Sequence, residues 1–278
     1  LYKENMNKDE KVINDFGEEW CKFEHGKIDK KKLFINFQQY FSIFPWSKLS
    51  NESIGFDMGC GSGRWAQFIA PKVKILNCVE PSKAINVAKK NLKDLDNVRF
   101  YNETTEKCSI KLSSQDFGYC LGVLHHIPNT QNALADCASL LKSGAPFLLY
   151  LYYNFENKPL WFKLIWKISD IIRKIVSRLP QTIKRFISEA IALFIYFPLS
   201  RIALLFEKMK LNPSNIPLSD YRKKPFYQMR NDALDRFGTR LEQRFSKRKI
   251  EIMLFETGFE HIKFSNKTPY WCCVAYKK

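Results

Sequence analysis

Residues 55–65 read GFDMGCGSGRW, and the reading of this stretch decides the fold. An apolar run ends in four small residues, Gly59, Cys60, Gly61 and Ser62, although 15% of the chain is aromatic. Glycine serves either a tight turn or a backbone against which a large group must lie. The spacing Asp57-x-Gly59-x-Gly61-x-Gly63 closes a strand and leads to a helix expected to begin near Arg64, whose amino end would favour a negative group. A second apolar run, KILNCVE, ends on the lone acid Glu80. An acid at that place can accept both hydroxyls of a ribose.

Working outward, strand and helix signals alternate from residue 53 to residue 153. SIGFDM, KILNCVE, NVRFY, DFGYCLGV and APFLLYLYY read as strands. PSKAINVAKKNLKDL and NTQNALADCASLLKSG read as helices, the second closed by Gly144. Such alternation predicts a doubly wound α/β fold on a mostly parallel sheet. Near the end, KRKIEIMLFETGF is a helix stopped at Gly258. HIKFS and PYWCCVAYK then form an antiparallel hairpin that brings the sheet to seven strands. Residues 154–245 lack this alternation and read as a helical insertion. The expected organisation is an N-terminal helical lid or cap over 1–51, a core formed by 52–153 with 246–278, and the insertion between.

The acidic-x-Gly-x-Gly-x-Gly spacing resembles motif I of the class I S-adenosylmethionine-dependent methyltransferases. NCVEPS resembles their second motif, and DFGYCLGVLHHIPN the fourth-strand motif of their small-molecule, type 11-like branch. The resemblance implies S-adenosylmethionine as cofactor. It implies that Asp57 orients the amino-acid part, that Gly59, Gly61 and Gly63 form the turn beneath it, and that Glu80 holds the ribose. Glu106 in YNETTEKC falls where the family contacts adenine, although the loop lacks the usual Gly-Asp-Ala start. Leu121 and Gly122 line the floor.

His125 and His126 follow the fourth strand, beside the expected methyl group. An imidazole there can take a proton from a hydroxyl as the methyl arrives. The alternative is that one histidine only braces the loop. His25 and His261 have no motif context. Ahead of the glycine turn, FGEEW (Phe16 to Trp20) precedes the helical KKLFINFQQYF. It reads either as a lid that sets Trp20 over the cofactor or as a staple of that helix onto the sheet.

The eight cysteines include no C-x2-C pair and no cluster of ligand spacing, so no metal is expected. Most lie in apolar runs, where a free thiol acts as a small hydrophobe in a reducing cytoplasm. LYKENMNKDE has no apolar signal-peptide region. The net charge of +17 suits an anionic partner: nucleic acid, a membrane surface or a phosphorylated substrate.

The insertion localises that charge. Within KPLWFKLIWKISDIIRKIVSRLPQTIKR, Lys163, Lys167, Asp170, Lys174 and Arg178 form a polar stripe opposite Leu164, Ile165, Ile168, Ile171, Ile172, Ile175 and Leu179. A basic amphipathic helix suits an anionic membrane surface. AIALFIYFPLS, residues 190–200, is uncharged but too short to span a bilayer, and Pro198 is expected to interrupt it. The soluble alternative is a cap whose apolar faces pack on each other. Further on, Tyr221, Arg222, Arg236 and Arg240 are candidates for acceptor contact, because arginine forks suit carboxylates and phosphates.

Together these features predict O-methylation of an amphipathic or lipid-linked acceptor, a saccharide or an isoprenoid, by a cytoplasmic enzyme peripheral on the inner face of the membrane. The rival readings are an RNA methyltransferase, for which the chain offers no nucleic-acid module, and a non-catalytic cofactor-binding protein.

Overall fold

A computed structural model describes residues 7–22 and 30–278, apart from the side chains of 19–22 and 32. His25, Trp20 and Cys21 therefore lie outside the described residues or side chains. The chain divides into two compact units: Leu1–Asn154 with Gln243–Lys278, and Phe155–Glu242. The N-terminal stretch thus belongs to the first unit.

In chain order the elements are α1 (Glu10–Lys22), α2 (Lys30–Tyr40), β1 (Ile54–Met58), α3 (Ala66–Ile69), β2 (Ile75–Val79), α4 (Ala84–Asn91) and β3 (Val98–Tyr101). There follow β4 (Phe117–Leu121), α5 (Thr130–Leu140), β5 (Pro146–Tyr150), α6 (Leu160–Val176), α7 (Gln181–Ile191), α8 (Phe197–Lys208) and α9 (Phe226–Gly238). The last are α10 (Lys247–Glu256), β6 (Phe259–Phe264) and β7 (Cys273–Lys277).

The seven strands form one sheet in the order β3-β2-β1-β4-β5-β7-β6. β3 to β5 pair in parallel, and β7 runs antiparallel to both β5 and β6. Successive strand side chains serve opposite faces, so Phe147 and Leu149 join one buried cluster while Leu148 joins the other. α5 and α10 cover the first face, and α2, α3 and α4 the second. Asn129 caps α5 through the Asn132 N–H, and Ser246 caps α10 through the Lys249 N–H.

Two expected boundaries move. α5 ends at Leu140 rather than at Gly144, because Leu141 turns extended and bridges Gln115. The helix after the glycine turn begins at Ala66 and holds four residues. It is too short to supply the helix dipole that the sequence suggested.

β1 and β4 interlock through glycine. Gly55 lies opposite Phe117 and Gly118 opposite Phe56. A Cβ on Gly55 would come 2.2 Å from the Phe117 ring, and one on Gly118 would come 2.3 Å from the Phe56 ring. Both rings are fully buried.

The second unit packs α6–α9 around Val176, Ala192, Tyr196, Met229, Ala233 and Phe237. Pro198 does not break its long helix. Residues 192–196 form a π turn in which the Phe197 N–H reaches the Ala192 carbonyl. Pro198 then occupies the first turn of α8, where its missing N–H costs little. Gln181–Lys208 is thus one helix of 28 residues, long and apolar enough to cross a membrane, and an 18-residue window within it has mean hydropathy 1.7.

The β1–β4 interlock predicts that Gly118→Val overpacks the centre of the sheet. Urea unfolding should show a loss of about 2 kcal/mol or more. Unchanged stability would contradict the interlock.

Candidate functional site

In an open α/β sheet, ligands bind outside the carboxyl ends of the strands where the strand order reverses. Here that point lies between β1 and β4. The glycine turn leaves β1 and the histidine turn leaves β4, so both predicted motifs arrive at one place.

The glycine turn is pinned to the end of β2. The Val79 carbonyl accepts the N–H groups of Gly59 and Cys60, at 2.8 and 3.0 Å. The Glu80 carboxylate accepts the Gly61 and Ser82 N–H groups, both at 3.0 Å. The bareness of the turn has an internal cause as well as a ligand-facing one. Gly59 and Gly63 have φ of 77° and 78°. A Cβ on Gly59 would meet Val123 at 2.4 Å, and one on Gly63 would meet Leu92 at 2.7 Å. Two of the three glycines are therefore demanded by their protein neighbours.

Asp57 is buried as the penultimate residue of β1, and its Oδ2 has no hydrogen-bond partner. Burial pushes its carboxyl from 3.8 up to about 7; the Tyr119 hydroxyl draws it down, the Glu80 charge adds to the rise, and Arg64 opposes it. A buried carboxylate oxygen without a partner, above a turn cradled by glycine, fits the cationic amine of S-adenosylmethionine. Glu80 keeps lone pairs beyond the two backbone contacts, which suits a diol. Leu121 is buried beside this turn, and Gly122 donates to the Tyr150 carbonyl at 3.0 Å.

The structure gives Glu106 another task. Its Oε2 accepts the Asn7 N–H at 2.9 Å. Asn7 in turn exchanges two hydrogen bonds of 2.8 Å with the Asn129 backbone. The FGEEW stretch lies inside α1 and, as expected, precedes the helical KKLFINFQQYF, which forms α2. Phe16 packs on His126 with ring centroids 4.8 Å apart, and Gly17 lets α1 approach Ser82 and Lys83. α1 therefore covers the histidine turn and the start of α4.

The two histidines occupy different environments. His125 is fully buried, stacks on Tyr152 at 3.8 Å, and accepts the Tyr152 N–H at Nδ1. Burial first, then the His126 and Arg244 charges, hold its pKa well below 6.5. His125 is thus a neutral ring with its proton on Nε2, which has no partner. Its one basic nitrogen is spent on the backbone, so it serves as a donor and a brace. His126 sits beside it at 4.1 Å between centroids.

Gln243, absent from the sequence reading, fixes this turn. Its N–H meets the His125 carbonyl at 3.0 Å, and its Nε2 meets the Ile127 carbonyl at 2.8 Å. Phe245 donates to the Tyr152 carbonyl, and Arg244 reaches the Tyr153 carbonyl at 3.1 Å. No local pattern could have exposed Gln243, because it follows the histidines only after the whole second unit.

The remaining candidates lie in the second unit, and each is engaged within it. Tyr221 packs edge-on to Tyr196, Arg222 pairs with Glu207, Arg236 pairs with Glu242, and Arg240 donates to the Ser177 carbonyl. These contacts account for the four side chains without an acceptor.

A family model described as a methyltransferase domain matches residues 56–147. A ubiquinone biosynthesis O-methyltransferase of Coxiella burnetii (strain RSA 331 / Henzerling II) is 26% identical over 160 residues, 56% of this chain and 67% of that protein. The uncharacterized methyltransferase YcgJ of Bacillus subtilis (strain 168) is 31% identical over 133 residues, 47% of this chain and 53% of that protein. Among solved structures, a Bacillus halodurans C-125 protein assigned as a methyltransferase shares the fold at a TM-score of 0.51 and 16% identity, covering 82% of this chain and 70% of that one.

The Asp57 environment sets a pH dependence. Without cofactor, the folded chain holds a proton at Asp57 between about 4 and about 7, which the unfolded chain has released. This contribution to stability is therefore lost as pH rises through that window. Urea melts of wild type and Asp57→Asn should diverge across it, the wild type losing more stability as pH rises. Parallel profiles would contradict the assignment.

Proposed function

We propose that this chain, a class I S-adenosylmethionine-dependent methyltransferase, methylates an oxygen of an amphipathic acceptor, a lipid-linked saccharide or an isoprenoid, at the inner face of a membrane. The observation that carries the reading is the meeting of the glycine turn, Asp57, Glu80 and the histidine turn at the carboxyl ends of β1 and β4. The name of the Coxiella burnetii relative supports oxygen as the accepting atom. The exposed apolar helices of Phe155–Glu242 support a greasy acceptor.

When bound, S-adenosylmethionine supplies a methyl group on a sulfonium, open to in-line displacement by the acceptor oxygen. Asp57, ionised above about pH 7, would hold the amine of the cofactor, and Glu80 would hold the ribose. Gly59, Gly61 and Gly63 let the backbone pass beneath, and Leu121 lines the floor. Glu106 steadies the adenine side through its tie to Asn7. His126 would take the hydroxyl proton of the acceptor. His125, locked as a neutral donor, keeps that turn in register. α1, with Phe16 against His126, shields the reacting groups from water. Much of the rate then comes from holding the oxygen in line.

Methyl transfer from radiolabelled S-adenosylmethionine into fractionated extract of a source strain lacking this gene tests the reading. Label should enter the organic-soluble fraction, and His126→Ala should slow its entry by about a hundredfold or more. Label confined to RNA would favour the rival that the net charge suggests. Label in other water-soluble material would remove the lipidic acceptor.

A further inference from the structure

The second unit is built inside out. Along its 28-residue helix the buried positions are Lys184, Ser188, Ala192, Tyr196, Ser200 and Ala203, a seam of small and polar residues. Ile183, Phe186, Leu193, Phe194, Ile202 and Leu205 point outward, Phe194 being 73% exposed and Phe186 75%. α6 repeats the inversion. Its buried residues are Arg173 and Val176, Arg173 being held by Asp170 and by the Thr239 and Arg240 carbonyls at 2.8–2.9 Å. Leu164, Ile165, Ile168, Ile171, Ile172 and Ile175 are exposed instead. A helix of a water-soluble unit turns its apolar stripe to the core. Most of the large apolar side chains left exposed among the described residues lie in this unit, and patches of this kind mark interaction surfaces.

We infer that the outer faces of α6 and of Gln181–Lys208 lie in the acyl region of one leaflet of an anionic phospholipid bilayer. The inference deepens the membrane part of the reading above, replacing surface contact by insertion. The charge identifies the occupant. Residues 155–242 hold 17 Lys and Arg against 8 Asp and Glu. Lys167, Lys174, Arg178 and Arg185 are exposed beside the apolar faces. Their stems can follow the acyl chains while their charges reach anionic headgroups. A second copy of the same face would instead set like charges against each other.

Packing indicates that the long helix lies in the plane of the membrane. α9 runs antiparallel along it, with Gly238 against the Lys184 stem and Met229 receiving the Ser200 hydroxyl at 3.8 Å. α9 also carries Arg230, Asp232 and Asp235, which a bilayer-crossing arrangement would draw into hydrocarbon. An in-plane helix keeps its α9 side wet and its outer side in lipid.

The test sediments the full chain with vesicles containing phosphatidylglycerol, then washes the pellet with high salt and with alkaline carbonate. Wild type should stay in the pellet through both washes. Phe194→Glu and Ile168→Glu, both at exposed positions, should each reduce partitioning by about tenfold or more, with the circular dichroism spectrum unchanged. Release by either wash would overturn insertion, since charge alone would then hold the chain. So would failure to sediment, or a dimer in solution that Phe194→Glu dissolves. Calorimetry of S-adenosylmethionine on the same preparation separates the two readings. Sedimentation without cofactor binding would sink the methyltransferase reading alone, and cofactor binding without sedimentation would sink this inference alone.

Discussion

The Glu80 carboxylate, accepting the N–H groups of Gly61 and Ser82, is the contact on which the site depends. Hydrogen bonds to a charged group contribute about 1.5–3 kcal/mol; the one from Gly61 joins the loop after β1 to the loop after β2, and the one from Ser82 holds the carboxylate within its own loop. With Val79 receiving Gly59 and Cys60, and Cys60 receiving Gly63, the clasp fixes a turn of positive φ angles. Its position then decides where Val123 packs against Gly59, and so where the chain leaves β4. The histidine turn inherits its place from that packing.

The same region keeps buried polar atoms without partners. Asp57 Oδ2 and His125 Nε2 are such atoms, and each costs about 1–3 kcal/mol to leave unmet. They lie at the ends of β1 and β4, the two strands that flank the reversal of strand order. A folded chain tolerates that cost most readily where a ligand supplies the missing partner. The surrounding sheet tolerates it because its own faces are tightly filled, down to the reciprocal fit of Gly55 with Phe117 and Gly118 with Phe56.

Much of this was legible in the residues. The glycine spacing, Glu80 and the alternation of strands with helices rest on local chemistry, and local chemistry is what a sequence displays. The brevity of α3 is marked by Pro71, directly after RWAQFIA, which opposes continuation of the α-helix past Ile69. Pro198 suggested a break because a π turn that absorbs a proline has no signature of its own. The periodicity of α6 showed its two faces but not the burial of Arg173, whose partners are carbonyls more than sixty residues away. Asn7 and Gln243 were invisible for the same reason, as their partners are distant in the chain.

Calorimetric titration of S-adenosylmethionine into wild type and Glu80→Ala tests the central claim most directly. The account predicts one site in the wild type and a loss of affinity of about tenfold or more in the variant. Equal affinities, or no heat with either protein, would contradict it.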